Sequence, residues 1–347
     1  MRELKVSSSD EGIRLNKLVG RYLDAAPQSF IYKMLRKKNI VLNDKKASGD
    51  ERLSEGDSVK LYLAEDTIEG FIKKKHCDEK ALNGKASGDA AGLKILFGND
   101  DILAVSKPEG LLTQKAKAED HSLNDDLLAY YEKSGRVAEP GFKPSVANRL
   151  DRNTTGIVLC GISPKGSRRL SAALKDHSIE KYYFTVCRGK LDGKKTVEAY
   201  IEREGLISTV SEKASNKALN QALNQAERVL THLYPLDTNG SYSLLLVKLE
   251  TGKTHQIRAS LKSIGMPVVG DAKYGSSKED INLARSCGVK HHLLHAGTVV
   301  IPAGVIDDKE HVISDGLPIH FQKLAKKLSL DISKTETDKW LHGIHGA

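Results

Sequence analysis

Asn148-Arg149-Leu150-Asp151-Arg152-Asn153-Thr154-Thr155-Gly156 runs straight into Ile157-Val158-Leu159-Cys160-Gly161. The first stretch is polar. The second is a short apolar run closed by glycine, and it reads as a strand buried in a sheet. Ser163-Pro164 then supplies an N-cap and a first-turn proline for a helix through Lys165–His177, with Leu170, Ala173 and Leu174 facing inward. The segment is therefore a polar loop, a core strand and a capped helix. Loops held on a rigid sheet often carry chemistry. The same loop also reads as a surface turn with local Asp–Arg pairing.

Working outward, Leu93–Phe97 and Ile102–Val105 form two apolar strands around Gly98-Asn99-Asp100-Asp101, a hairpin signal. Ser106-Lys107-Pro108-Glu109-Gly110 follows as a loop, where proline stops the strand and glycine permits a bend. Downstream, Glu180–Gly189 alternates, placing Tyr183 and Thr185 on one face and Tyr182, Phe184 and Val186 on the other. Tyr242–Leu261 reads as a long strand, a turn at Thr251-Gly252 and a helix with a polar start. Leu293–Ile301 reads as a further strand.

The N-terminal part has its own pattern. Leu15, Leu18, Val19, Tyr22 and Leu23 recur at helical spacing, and Pro27 separates them from a second helix capped by Ser29. Phe30, Ile31, Met34 and Leu35 form the apolar face of that helix, Lys33, Arg36, Lys37 and Lys38 fill its remaining surface, and Asn39 ends it. Ile40–Asp44, a turn near Lys45-Lys46 and Asp57–Leu63 complete a small β unit. Residues 64–92 carry few apolar side chains, several glycines and a lysine run, which predicts a linker. The expected division is 1–63, the linker 64–92, a larger unit 93–330 and a loosely held tail 331–347. The repeat Ala218–Gln225 is too short for a repeat architecture.

The chain has 347 residues, 39% of them hydrophobic and 29% charged, with a net charge of +9. Such usage excludes collagen-like and wholly disordered chains. It contains no apolar run long enough to span a bilayer and no secretory leader, so the expectation is a cytoplasmic protein without a membrane partner. Cys77, Cys160, Cys187 and Cys287 are far apart and are expected to remain free thiols. The positive surplus favours a polyanionic partner, although a basic proteome would produce it too.

Two motif-like features fail. Gly252-Lys253-Thr254 looks like the end of a phosphate-binding loop, but that pattern needs glycine at position 247, which is Val247. Cys287, His291, His292 and His295 lie close together without a second spaced pair, so no metal site is expected.

Residues 12–63, with two short helices, a basic second helix and a small β unit, resemble the S4 RNA-binding domain. The resemblance implies that Lys33, Arg36, Lys37 and Lys38 hold RNA through its phosphates. After the Lys107–Gly110 loop come the Asn148–Gly156 loop, the Glu180–Gly189 strand, Thr251–Leu261, Gly270–Gly275 and Leu293–Val300. In this order they resemble the RluA family of RNA pseudouridine synthases, over about residues 93–305, and most of all its RluC branch, which acts on large-subunit ribosomal RNA. Its fold would be α+β: a small S4-type domain followed by a catalytic domain with a large, mostly antiparallel mixed sheet and flanking helices.

The resemblance implies Asp151 as the nucleophile, Tyr183 as the active-site tyrosine and Arg258 as the basic partner of the aspartate. It further implies Arg149 filling the gap left by the extruded base and Ile257 as an apolar wall, and Lys107 is grouped with the RNA-binding residues. Asn148 and Ser260 stand where the family usually has histidine, and Thr155 replaces the commoner serine. The residue types suit the chemistry. A uridine must leave its stack, break its glycosidic bond, turn and rejoin the sugar through C5. A carboxylate can act as nucleophile without a cofactor, and in a dry pocket it needs a facing cation to stay charged. No external atom is added, so neither metal nor nucleotide is expected, and the partner is RNA, with the protein acting as a monomer. A non-catalytic RNA-binding assembly factor and a synthase acting on tRNA are the rival readings. The first would have no reason to keep Asp151, Tyr183 and Arg258 together.

Overall fold

The computed structural model describes residues 1–6, 10–71, 92–136, 142–204, 207–211, 227–337 and 339–341. Most of the expected linker, Cys77, and the Ala218–Gln225 repeat lie outside the described residues.

The chain begins with β1 (Arg2–Lys5), α1 (Leu15–Tyr22), α2 (Gln28–Arg36), β2 (Ile40–Leu42), β3 (Lys45–Lys46), β4 (Ser58–Leu61) and α3 (Glu65–Phe71). The four strands form one sheet in the order β1-β4-β2-β3. Leu15, Leu18, Val19, Ile31, Met34 and Leu35 are buried against it, so the helical spacing yields a real core. Four expectations change. The second helix starts at Gln28 after extended Pro27, and Ser29 does not cap it. The hairpin turn is Asn43-Asp44, both with positive φ, while Lys45 and Lys46 form the returning strand. Two left-handed residues match the type I′ turn that suits the strand twist. The α2 helix ends at Arg36, and left-handed Lys38 turns the chain before Asn39. The chain stays folded past residue 63: α3 buries Ile68 in this core and its Phe71 ring lies 4.6 Å from Phe30.

Next come β5 (Lys94–Gly98), β6 (Ile102–Lys107), α4 (Leu123–Lys133), β7 (Ser145–Val146), β8 (Thr155–Gly161), α5 (Pro164–Lys175), β9 (Glu180–Arg188), β10 (Lys195–Glu204), β11 (Ile207–Ser211), β12 (Glu227–Thr238) and β13 (Tyr242–Leu249). They are followed by α6 (Gln256–Ser263), α7 (Lys278–Ser286), β14 (Leu294–Ile301), β15 (His311–Ser314) and α8 (Ile319–Lys327). The described strands form an 11-stranded sheet with the path β11-β10-β12-β13-β9-β14-β8-β6-β5; β15 pairs with β14 and β7 with β8. Only the β14–β8 pairing is parallel among them. The expected α+β class with a large, mostly antiparallel mixed sheet is what the chain adopts.

Both faces of the central strands are covered. On β6 and β8, Leu103, Val105, Val158 and Cys160 enter one core, while Ile102, Ala104, Ile157 and Leu159 enter the other with Leu170 and Ala173 of α5. This two-sided burial explains why Ile157–Cys160 reads as an unbroken apolar run. Ser163 caps α5 by accepting from the Gly166 N–H. Gly156 has φ +113 and sits so close to β14 that a Cβ would lie 2.2 Å from the Ala296 oxygen. Only glycine lets the polar loop enter the sheet there. The described residues of the tail are anchored rather than loose. Lys334 pairs with Asp237 at 2.9 Å, and the buried Trp340 ring lies 4.8 Å from Tyr182. Cys160, Cys187 and Cys287 are buried free thiols. No helix among the described residues is long and apolar enough to cross a membrane.

Candidate active site

In the sheet path β9, β14 and β8 are consecutive, so the loop entering β8 and the middle of β9 meet over the sheet centre. The loop is tied down by its backbone. Thr113 Oγ1 donates to the Leu150 carbonyl at 2.9 Å and accepts from the Leu150 N–H at 3.1 Å. The Gly110 N–H donates to the Arg152 carbonyl at 3.0 Å. Lys107 is a correction to the sequence reading. It is 0% exposed and its ammonium donates to the carbonyls of Pro108, Leu111 and Arg152, each at 2.9 Å. Burial lowers its pKa to about 8, opposed by the charges of Asp151 and Glu109. Lys107 therefore braces the loop from beneath and presents no surface to RNA.

Asp151, Tyr183 and Arg258 come together, although they are far apart in sequence. Arg258 Nη1 donates to Asp151 Oδ2 at 3.2 Å. Its other edge is held by Asp271, with Nε to Oδ2 at 2.6 Å and Nη2 to Oδ1 at 2.8 Å. Asp271 also accepts from the backbone N–H groups of Lys273 and Tyr274, and the Arg258 guanidinium lies 4.8 Å over the Tyr274 ring. A bidentate pair fixes orientation as well as charge. Burial would raise Asp271, but the paired guanidinium holds its carboxyl below the usual range. Burial likewise works against the Arg258 charge, yet Asp271 and Asp151 raise its pKa.

Tyr183 is 7% exposed and shares the cavity with Asp151. Burial, and then the negative charge of Asp151, push its phenol up, so it stays a neutral hydroxyl. Ile257 and Arg149 line the same inner cavity of ≈ 70 Å³, and Arg149 is exposed at its mouth. This opens to a cleft of ≈ 1090 Å³ lined by Lys115, Arg149, Arg152, Lys181, Arg228 and Lys253, where Asp151 is the only acid among the described residues. Lys33, Arg36, Lys37 and Lys38 are exposed on and just after α2, in the N-terminal unit.

Residues 101–263 match the profile of the family described as RNA pseudouridylate synthase. Over this stretch the chain is similar to that family. It is 29% identical over 321 residues to the ribosomal large subunit pseudouridine synthase C of Rickettsia bellii, covering 90% of this chain and 96% of that one. It is 29% identical over 297 residues to an uncharacterized RNA pseudouridine synthase of Mycoplasma pneumoniae, covering 84% and 85%. The solved structure of human RNA pseudouridylate synthase domain containing 4 shares the fold at a TM-score of 0.54 and 19% identity, over 69% of this chain and 94% of that one.

Several residues of the synthase site escaped the sequence reading. His255 has left-handed backbone (φ 58), bonds Tyr274 Oη through Nδ1 at 3.0 Å, and brings Nε2 to 3.7 Å from Asp151 Oδ2. Burial lowers its pKa and Asp151 opposes that shift. Asp271 and Tyr274 lie in the Gly270–Gly275 segment, whose acid and tyrosine were the available signal. The histidine cluster also finds its place: His292 Nε2 bonds Thr154 Oγ1 at 2.9 Å, and His295 Nδ1 bonds Thr155 Oγ1 at 2.8 Å. The replacements settle locally. Asn148 Oδ1 accepts from the Leu159 N–H at 2.7 Å, and buried Ser260 lies 3.3 Å from Thr231 Oγ1.

Proposed function

We propose that this synthase isomerises uridine to pseudouridine in large-subunit ribosomal RNA, with Asp151 as nucleophile. The observation that carries the reading is the locked Asp271–Arg258–Asp151 array beside Tyr183, at the floor of a cation-lined cleft. The uridine is drawn from its stack into the inner cavity, and Arg149 at the mouth fills the space it leaves. Asp151 attacks the nucleotide, the C1′–N1 bond breaks and the uracil turns. C1′ then bonds to C5, the bond to Asp151 breaks and returns the free carboxylate, the C5 proton is lost to solvent, and N1 gains a proton. Arg258 keeps the carboxylate oriented, Tyr183 gives the uracil a π face and a hydroxyl, and Ile257 walls the base. Relatives named as ribosomal large subunit synthases over nearly their whole length support the substrate.

The N-terminal unit serves as an S4-like grip on structured RNA. Its support is the exposed row Lys33, Arg36, Lys37 and Lys38, continued by exposed Lys45 and Lys46 on β3. The buried free thiols fit a reducing cytoplasm. The test is chemical mapping of pseudouridine in ribosomal RNA from cells with and without the gene. A site that disappears with the gene and returns with the wild-type chain, but not with Asp151→Asn, is the expected result. An unchanged map would sink the ribosomal substrate.

A further inference from the structure

We propose that Lys181 and the bare turn at Gly252 form an anion site that takes one backbone phosphate beside the extruded uridine. This rests on the reading of the cleft as an RNA site. Lys181 lies two residues before Tyr183 on β9, so the strand alternation sends both side chains to the same face. Both line the large cleft, together with Thr251, Gly252 and Lys253. Lys181 is half-buried, and among the described residues it makes no hydrogen bond or ion pair. Burial lowers its pKa, and among the described residues no carboxylate opposes the shift.

Other lysines of this sheet show how unusual that is. Lys107 is buried but satisfied by three carbonyls. Lys248 pairs with Glu180, and Lys94 pairs with Asp315 at 2.7 Å. A partly desolvated cation without a partner is unfavourable unless a ligand supplies the opposite charge. The cleft offers the way in, because a Cβ built at Gly252 would come to 4.0 Å from Lys181 Nζ. Glycine there leaves the ammonium uncovered, and a larger side chain would sit over it. Gly252-Lys253-Thr254 is not a nucleotide-binding loop, yet the turn it makes borders this cation. A phosphodiester is the anion that an extruded nucleotide brings to the same cleft.

The test compares wild type, Lys181→Met, Lys181→Arg and Gly252→Val on an unmodified transcript of the large-subunit ribosomal RNA. Loss of one phosphate contact should flatten the plot of log affinity against log salt by about 0.7–0.9. Lys181→Met and Gly252→Val should both show that change, and Lys181→Arg should keep the wild-type slope. In tritium-release assays Lys181→Met should raise the RNA concentration giving half-maximal rate more than it lowers the rate at saturation. A second measurement needs no RNA. The lysine ammonium resonance that vanishes in Lys181→Met should titrate at higher pH when inorganic phosphate is added to wild type. If wild type released no tritium, the proposed function would fail while the phosphate titration still decided the site. An unmoved resonance with an unchanged salt slope overturns the proposal. A moved resonance with an unchanged slope overturns it too, by assigning the site to a free anion.

Discussion

The synthase uses positive charge in two opposite ways. Arg258 is 5% exposed, is gripped on one edge by Asp271 and offers a single N–H to Asp151. Lys33, Arg36, Lys37 and Lys38 are exposed, and among the described residues none has an ion-pair partner. A buried, bidentate cation acts by geometry and is poorly screened by salt. Exposed cations act by releasing counterions from RNA, so salt weakens them directly. The first group should govern turnover and the second affinity.

The largest effect should come from Asp151→Asn, which keeps size and removes the charge of the proposed nucleophile. Turnover should fall by on the order of 10⁴-fold or more, as for other essential nucleophiles, with RNA binding nearly intact. Tritium release from [5-³H]uridine RNA measures it, and appreciable release by the pure variant would remove Asp151 from the mechanism. Next comes Arg258→Lys, which keeps a charge but cannot grip Asp271 through two parallel bonds and reach Asp151 at once. A fall of about 10²–10³-fold in turnover is expected, the size seen when one preorganised donor is lost, with the salt slope of RNA binding unchanged. A pure affinity defect, recovered at high RNA concentration, would move Arg258 into the class of the surface lysines.

The same division explains what could be read in the chain. Ser163-Pro164, the alternation around Tyr183 and the apolar run Ile157–Cys160 are local signals whose partners lie within a few residues, and the fold follows them. Lys107 shows the limit. A lysine in a polar loop reads as surface charge, and only the fold reveals three carbonyls converging on it. Asp271 and His292 are of the same kind, since their partners Arg258 and Thr154 stand 13 and 138 residues away, beyond the reach of local spacing. Trp340 has no local pattern at all, and its place against Tyr182 and Phe184 depends wholly on tertiary packing.

A smaller effect, on stability alone, should come from His292, which bonds Thr154 of the Asp151 loop. Burial lowers its pKa from 6.5 to about 4. Its contribution is complete above about pH 6.5, where both states are neutral. As pH falls toward 4 the unfolded chain takes up the proton first, and stability is lost. The loss should be at most about 3 kcal/mol. His292→Gln removes the titration and can still hydrogen-bond Thr154. Urea unfolding at pH 7 and pH 4.5 should show a smaller drop for the variant than for wild type. Equal drops would mean that His292 is already charged in the folded protein.

The least effect on chemistry belongs to the other side of the comparison. Arg36, Lys37 and Lys38 follow one another where α2 ends, and none supports the core: Ile31, Met34 and Leu35 on the same helix do that. Changing the three to Ala should leave folding intact, because exposed helix-end cations contribute only tenths of a kcal/mol through the helix dipole. It should weaken RNA binding and reduce the salt slope by about two to three units if each touches a phosphate. Single-turnover rates at saturating RNA should stay near wild type, since Asp151 and its partners lie in the other unit and are held by Asp271 and the loop braces. The decisive pairing is a salt titration of binding with a saturated rate on one preparation. A reduced slope with an unchanged rate confirms that affinity and chemistry are separate charge systems. An unchanged slope would leave these residues as solvated charges at a helix end, and the grip on RNA would have to come from the cations of the cleft.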